Sequence, residues 1–223
     1  MWFDAVEQTY LKGTLLTLSG LGLSVCSLTT SAGSSAATQG YVMEIQMTPA
    51  ACMMDSQRSK KRKCLEGYSL NIVGLLPVTT ERDCDTSTST SAALSPLQAK
   101  VVARVMPDEN ARVQLWQSIG GCVPMGASQY FRTIINYAER LKIPAELSSP
   151  ETRTLPQNHI KLQFLRLNPS LPSTGIQLGC QSYRGENFLT KVNICYKTNG
   201  QYKQCSTAVV SNCPSQITIK GSY

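Results

Sequence analysis

Histidine is nearly absent from this chain of 223 residues, in which His159 is the only example. Because histidine is the side chain that titrates closest to neutral pH, a reaction that needs two histidines as base and acid is excluded. The nine cysteines form neither a C-x-x-C pair nor a cluster with histidine. A zinc site is therefore not expected, and we predict no metal and no cofactor.

Charged residues are also scarce. They make up 16% of the chain against 42% hydrophobic residues, a globular composition that excludes a disordered chain. The formal net charge is +7, which favours anionic partners such as nucleic acid, anionic lipid or polysaccharide without choosing between them. Nine cysteines in one chain of this length indicate an oxidising compartment.

No hydrophobic run near the N-terminus is long enough to span a bilayer comfortably. Residues 15–28 are mostly apolar, and small residues follow at 31–36, which suggests cleavage after Ala36. We predict that residues 1–36 are a signal peptide. The remaining residues 37–223 are predicted to form one secreted or periplasmic domain without a transmembrane span.

Cys26 lies inside the predicted signal peptide. The sequence Leu23-Ser-Val-Cys26 also resembles a lipoprotein box, although Val25 is large for the position before a lipidated cysteine. Removal of Cys26 with the signal peptide is the favoured interpretation, and it leaves eight cysteines.

Hydrophobic periodicity predicts both strands and helices. Residues 41–47 and 68–77 are typical of strands, and Asn199-Gly200 is typical of a hairpin turn. Ser95 before a proline predicts a helix start, and Asp108 is a candidate cap for the helix that contains Trp116. A further helix is predicted to begin at Ser128, with these apolar residues at helical spacing: Tyr130, Phe131, Ile134, Ile135, Ala138 and Leu141.

Five cations occur within six residues between Cys52 and Cys64. They are Arg58, Lys60, Lys61, Arg62 and Lys63. One interpretation is a solvated loop, and the other is an electrostatic contact for phosphates. No aromatic residue is interleaved to stack bases, so both interpretations stay open.

The segment 114–122 has the sequence Gln-Leu-Trp-Gln-Ser-Ile-Gly-Gly-Cys. It resembles the second signature of the ribonuclease T2 family, the secreted acid ribonucleases, which is roughly H-E-W-x-K-H-G-T-C. Trp116, Gly120 and Cys122 match that signature. The positions of the family's histidine, glutamate, lysine and second histidine are occupied, in that order, by Gln114, Leu115, Ser118 and Ile119.

The strand at 68–77 resembles the family's first signature, F-x-x-H-G-L-W-P. Gly74, Leu75 and Pro77 are retained, but Val73 occupies the histidine position. Since valine cannot transfer a proton, we interpret this segment as a buried strand that ends in a turn. Further fragments extend the resemblance to about residues 41–220.

The resemblance implies an α+β fold with a central antiparallel sheet flanked by helices and stapled by disulfides. It also implies a pairing of the eight cysteines, whose spacing alone allows 105 connectivities. The implied disulfides are Cys52–Cys64, Cys84–Cys122, Cys180–Cys213 and Cys195–Cys205.

The family cleaves single-stranded RNA without a metal, using two histidines as base and acid and a glutamate and a lysine to stabilise charge. None of the residues at these positions in this chain titrates near neutral pH. No matching constellation of cysteine, serine or carboxylate is visible around His159 in the sequence, and we interpret it as a polar surface residue.

We therefore expect a catalytically inactive scaffold that acts as a protein-interaction module, with an unknown partner in the cell envelope or outside the cell. A noncatalytic protein that binds RNA or another polyanion through the basic loop is the alternative. A ribonuclease with a rebuilt site is the least favoured hypothesis.

Overall fold

The computed structural model describes residues 38–79 and 88–222. The predicted signal peptide with Cys26, and also Cys84, lie outside these residues, so the predictions that concern them stay predictions. In the described part of the chain, no helix is both long and apolar enough to cross a membrane.

The described residues form six strands and six α-helices, which are interspersed along the chain. The strands are β1 (Thr38–Met47), β2 (Leu70–Thr79), β3 (Arg153–Pro156), β4 (Ile176–Tyr183), β5 (Glu186–Tyr196) and β6 (Gln216–Ile219). The helices are α1 (Thr48–Met54), α2 (Arg62–Leu65), α3 (Pro96–Ala103), α4 (Glu109–Ile119), α5 (Ala127–Arg140) and α6 (Gln157–Leu167).

The strands form one mixed sheet in the order β2–β1–β5–β6–β3, with β4 also paired to β5. The pairings are antiparallel except for β5 with β6, which run parallel at Phe188 and Thr218. The predicted α+β class and disulfide-stapled, helix-flanked sheet are therefore confirmed, and the structure adds one parallel pairing. The core contains side chains from the sheet and from the helices that pack against it, among them Met43, Ile45, Phe131, Ile134, Phe164 and Ile194.

Helix α5 follows from the spacing of its apolar residues. Tyr130, Phe131, Ile134 and Tyr137 are buried at intervals of three or four residues, as an amphipathic helix requires. The predicted helix is present, but it begins at Ala127 and not at Ser128. The Ser128 hydroxyl instead donates to the Gln98 side-chain oxygen at 2.9 Å, which ties α5 to α3.

Strand β2 lies at one edge of the sheet, and its outer side is covered. The backbone N–H of Ile72 donates to the carbonyl of Val105 at 2.7 Å. The Tyr130 hydroxyl accepts from the Leu75 N–H at 3.0 Å and donates to the Leu75 carbonyl at 3.1 Å. These bonds fix β2 against α5 and the connection between α3 and α4.

A β-bulge interrupts the pairing of β1 with β2. Glu44 pairs with Gly74 and the next residue, Ile45, pairs with Ile72, so Val73 is an extra residue in β2. A bulge of this kind bends its strand and redirects the side chain of the extra residue. Val73 therefore departs from the regular alternation of the strand.

Three of the four predicted disulfides are confirmed, and they are Cys52–Cys64, Cys180–Cys213 and Cys195–Cys205. Cys122 is disulfide-bonded as well. Because its predicted partner Cys84 is not among the described residues, that pairing stays a prediction.

The predicted turn at Asn199-Gly200 lies between Cys195 and Cys205. The N–H of Lys197 donates to the carbonyl of Gln201 at 2.7 Å, and Gly200 has a φ of +82°. A positive φ at this position suits glycine, because other residues are strained there.

Candidate functional site

A cleft of about 370 Å³ lies between β2, α4 and the end of the basic loop. It contains four of the five positions where the resemblance places catalytic groups. The lining residues are Lys63, Asn71, Ile72, Val73, Met106, Pro107, Asp108, Ala111, Gln114, Leu115 and Ser118. The fold thus brings together Val73 from β2 with Gln114, Leu115 and Ser118 from α4.

Helix α4 presents one face to the cleft and a neighbouring face to the core. Ala111, Leu115 and Ser118 are four and three residues apart, which places them on the cleft side. Trp116 and Ile119 are buried on the core side, and Ile119 is only 8% exposed. Ile119, which the resemblance aligns with the family's second histidine, is therefore part of the core.

Trp116 fixes the orientation of α4. Its ring is buried, and its indole N–H donates to the carbonyl and the hydroxyl of Thr90 at 3.2 and 3.1 Å. The ring also lies 5.6 Å from that of Tyr130, between ring centres. These contacts connect α4 to α5 and hold the cleft side of α4 towards β2.

The floor of the cleft is apolar where α4 meets β2. The Leu115 side chain packs over Gly74, so that a β-carbon at position 74 would lie 2.9 Å from both Leu115 methyl carbons. The Ser118 hydroxyl donates to the carbonyl of Leu115 at 2.8 Å, within the helix. Gln114 is exposed at the rim. No proton-transferring group stands at any of these positions.

Lys63 and Asp108 are the two residues lining the cleft that carry a charge. The Lys63 ammonium donates to the side-chain oxygen of Gln46 at 2.6 Å and lies 3.9 Å from the Asp108 carboxylate. Burial lowers the pKa of Lys63, and the Asp108 carboxylate opposes this change. The two charges offset one another, so the cleft has no strong net field.

The predicted capping role of Asp108 is wrong in one respect. Asp108 occupies the N-cap position of α4, but its side chain makes no capping hydrogen bond. Its carboxylate instead accepts from the backbone N–H of Lys63 at 3.4 Å. The role of Asp108 in the cleft was missed because Lys63 and Asp108 are 45 residues apart and no local pattern connects them.

The basic loop is partly neutralised. Lys61 forms an ion pair with Asp55, and the Arg62 guanidinium lies 2.6 Å from the Glu66 carboxylate. Together with Lys63, three of the five cations face carboxylates. Arg58 and Lys60 are exposed and have no ion pair among the residues that the structure describes.

His159 lies on α6 and does not line the cleft. Its side chain is 42% exposed, and its Nε2 atom lies 3.1 Å from a carboxylate oxygen of Glu146. The fold places Glu146, from thirteen residues earlier in the chain, beside this histidine. The described residues contain no group of three or more histidine, cysteine or acidic side chains that could hold a metal ion.

No protein-family model matches this chain, and no curated protein matches it either. Solved structures do match. Ribonuclease MC1 from bitter gourd seeds is similar with a TM-score of 0.60 and 16% identity over 80% of this chain and 98% of that chain. The self-incompatibility-associated SF11-RNase of Nicotiana alata gives 0.64 and 10%, over 82% and 100%. Japanese pear S3-RNase gives 0.60 and 14%, over 82% and 99%.

These similarities define the class of the structure. The protein has the fold of the ribonuclease T2 family, as its two altered signatures predicted. The sequence identities are low, so the similarity carries the fold and not the activity. The function must therefore be argued from the residues in the cleft.

Proposed function

We propose that this protein is a noncatalytic protein with the ribonuclease T2 fold, and that its cleft binds a segment of a protein partner in the cell envelope or outside the cell. The observation that carries the proposal is the side-chain chemistry of the cleft at the positions that the resemblance aligns with acid and base groups. Val73, Leu115 and Ser118 line that cleft, and none of them transfers a proton near neutral pH.

The loss of catalysis follows from the size of the effects involved. General acid–base catalysis commonly supplies ~10²–10⁴-fold in rate, and both histidines of the family are replaced. Lys63 and Asp108 are poor substitutes, because they face one another and Lys63 is also hydrogen-bonded to Gln46. A ribonuclease with a rebuilt site therefore has little support.

The chemistry of the cleft favours a protein segment over a phosphate. Val73, Met106, Pro107, Ala111 and Leu115 give it an apolar surface that suits aliphatic side chains. The offset charges of the two ionisable residues provide no excess positive field for a nucleic-acid backbone.

Binding of RNA or another polyanion through the basic loop is the second candidate function. The net charge of +7 and the exposed, unpaired Arg58 and Lys60 support it. The ion pairs of Lys61 and Arg62 weaken it, because each cation would have to leave a carboxylate before it could contact a phosphate.

The absence of catalysis is tested with the purified protein and single-stranded RNA between pH 4 and 8. We expect no cleavage above background and no 2′,3′-cyclic phosphate ends.

Introducing Val73→His and Ile119→His should not restore activity. Ile119 is buried in the core, so a histidine there should cost about 2–5 kcal/mol of stability. Robust turnover that persists in His159→Ala would contradict the proposal.

The binding role is tested by pull-down from the native envelope fraction with Leu115→Asp and a matched control. Leu162, which is 62% exposed on α6, provides that control as Leu162→Asp. We expect the captured partner to be lost with Leu115→Asp and retained with Leu162→Asp. Equal capture by both variants would exclude the cleft as the binding site.

A further inference from the structure

Adjacent basic residues occur in one short segment of this chain. Lys60, Lys61, Arg62 and Lys63 follow one another, and no other two lysines or arginines are neighbours anywhere in the sequence. Serine endoproteases that are specific for paired basic residues bind two such side chains and cut the peptide bond after the second. The segment 60–63 is therefore the place where an enzyme of this class can recognise the chain.

The segment lies on the surface and adds nothing to the core. It consists of a 3₁₀ turn at Arg58–Lys60 and helix α2, and neither element contains a buried residue. Helix α2 has four residues, and helices this short are marginal in water without tertiary support. Opening the segment into the extended form that a protease binds therefore exposes no buried side chain of its own, and the cost of this local unfolding is small.

The sequence and the contacts exclude most bonds of the segment. Arg58 and Lys60 each follow an uncharged residue, so neither is the second member of a basic pair. The Lys63 side chain is only 15% exposed, and its ammonium donates to the Gln46 side-chain oxygen at 2.6 Å. A side chain held in this way cannot enter the specificity pocket of a protease, so the bond after Lys63 is protected.

Arg62 is the residue that remains accessible. Lys61 forms an ion pair with Asp55, whereas the Arg62 side chain is 56% exposed and follows two lysines. Its ion pair with Glu66 lies on the surface, where such pairs contribute little. The bond between Arg62 and Lys63 is therefore the favoured site of cleavage.

A disulfide holds both sides of this bond in place. Cys64 is one residue beyond Lys63, and it is bonded to Cys52 on α1. A cut between Arg62 and Lys63 therefore leaves two chains that stay joined covalently. The new N-terminus is anchored by its second residue and keeps its position beside the cleft.

Asp108 faces the nitrogen atom of the same bond. Its carboxylate accepts from the backbone N–H of Lys63 at 3.4 Å, and it makes no capping hydrogen bond to α4 although it occupies the N-cap position. In the intact chain this contact is a long bond to a neutral amide. After cleavage the same nitrogen becomes an ammonium, and a charge-assisted hydrogen bond to a carboxylate is shorter and stronger.

We propose that a serine endoprotease specific for paired basic residues cuts this protein once, between Arg62 and Lys63, and that the new α-ammonium of Lys63 pairs with Asp108. The reaction consumes one water. The C–N bond breaks, the water hydroxyl joins the Arg62 carbonyl carbon to give a carboxylate, and the Lys63 nitrogen takes up the two protons released.

Cleavage changes the charge at the edge of the cleft between β2 and α4. In the intact chain the ammonium of Lys63 and the carboxylate of Asp108 offset one another. The new α-ammonium adds a second cation at Lys63, so the positive charge at this residue then exceeds the charge of the carboxylate. The proposal does not depend on what the cleft binds.

The site is tested by digesting the purified protein with a serine endoprotease specific for paired basic residues. We expect a single product that gains the mass of one water and separates into two fragments only after reduction. N-terminal sequencing of the second fragment should begin at Lys63. Arg62→Gln should slow the cleavage several-fold or more. The matched control is Arg58→Gln, an exposed arginine of the same segment outside any basic pair, which should leave the rate unchanged.

The pairing with Asp108 is tested on the cleaved protein by acylating the Lys63 α-amine near neutral pH. A carboxylate beside an amine favours its charged, unreactive form, so acylation should be several-fold slower in the wild type than in Asp108→Asn. Asparagine still accepts a hydrogen bond from the Lys63 nitrogen, and an unchanged midpoint of thermal unfolding verifies the intact fold. Glu109→Gln, which removes an exposed carboxylate from the next position, is the matched control and should acylate at the wild-type rate.

Two results would overturn the proposal. The first is a protein that resists the protease, is cut first at another bond, or is cut equally fast in Arg62→Gln and Arg58→Gln. The second is an equal acylation rate in the cleaved wild type and the cleaved Asp108→Asn variant, which would show that the new N-terminus does not meet Asp108.

Discussion

The Leu115 side chain lies so close to Gly74 that both of its methyl carbons would be 2.9 Å from a β-carbon at position 74. The resemblance to the family aligns Leu115 with a glutamate. Here the same position closes the space above the backbone of β2 with an aliphatic group. Leu115 therefore forms a packing contact between α4 and β2.

This contact can be measured by a double-mutant cycle. Leu115→Ala should lower the free energy of unfolding by about 1–2 kcal/mol, below the range for a fully buried leucine, since Leu115 is half-buried. Gly74→Ala should cost about 1 kcal/mol, because the new methyl displaces Leu115. In the double variant that methyl fills the vacated space, and the combined cost should fall about 1 kcal/mol below the sum. Strictly additive costs in urea unfolding would show that the two residues do not contact.

Tyr130→Phe should be strongly destabilising. The Tyr130 hydroxyl satisfies both the N–H and the carbonyl of Leu75 in β2, and all three groups are buried. Its removal leaves two backbone groups without partners, which should cost about 2–4 kcal/mol. Tyr196→Phe is the matched control, because among the described residues that buried hydroxyl has no hydrogen bond to the backbone. Equal unfolding free energies for the two variants would contradict this assignment.

If the basic loop binds RNA, Arg58 and Lys60, which have no ion pair among the described residues, should contribute most of the salt dependence of binding. Each phosphate contact on a single strand contributes roughly 0.7 to the salt slope of the binding constant. The double change Arg58→Gln with Lys60→Gln should therefore flatten the slope by about 1.4. The paired cations, changed as Lys61→Gln with Arg62→Gln, should have a smaller effect. Unchanged affinity in both double variants, and in one that also neutralises Lys63, would identify the loop as a solvated surface.

The stability contributed by Glu146 should depend on pH. Its own backbone N–H, followed by His159, lowers the pKa of Glu146. Because the folded pKa lies below the unfolded value of about 4.3, the contribution is fully present above that pH and is lost as the pH falls through the folded pKa.

We therefore expect the wild type to be more stable than Glu146→Gln by about 0.2–1 kcal/mol at pH 6, and this difference to disappear at low pH. Chemical unfolding at several pH values gives the measurement. His159→Gln should keep most of the difference, because the backbone N–H is the larger cause. A difference that is the same at pH 6 and pH 3 would refute the link to Glu146.

The elements with strong local patterns could be predicted from the sequence. The spacing of Tyr130, Phe131 and Ile134 fixes one face of α5, and alternation identifies β1. Gln114, Leu115 and Ser118, which the resemblance grouped together, do line one cleft. A helix places residues three and four apart on one face, so this grouping follows from their spacing.

Long-range contacts could not be predicted in the same way. The bulge at Val73 depends on the register between two strands, and the alternation within β2 alone does not reveal it. Ile119 aligned with a catalytic position, yet the rotation of α4 about its axis places it in the core. Lys63 and Asp108 meet only through tertiary packing, so their contact in the cleft has no signal in either local sequence.

The covered edge of β2 limits how another chain can attach to this protein. An open strand edge offers free N–H and carbonyl groups to which a further strand can add, either from a partner or from an aggregating copy. In β2, Val105 and Tyr130 occupy the groups of Ile72 and Leu75, and Pro77 has no N–H to offer. Strand addition is therefore blocked along this part of the sheet. A partner in the adjacent cleft must be recognised by side-chain shape, and copies of the chain are protected from edge-to-edge growth into fibrils at this point.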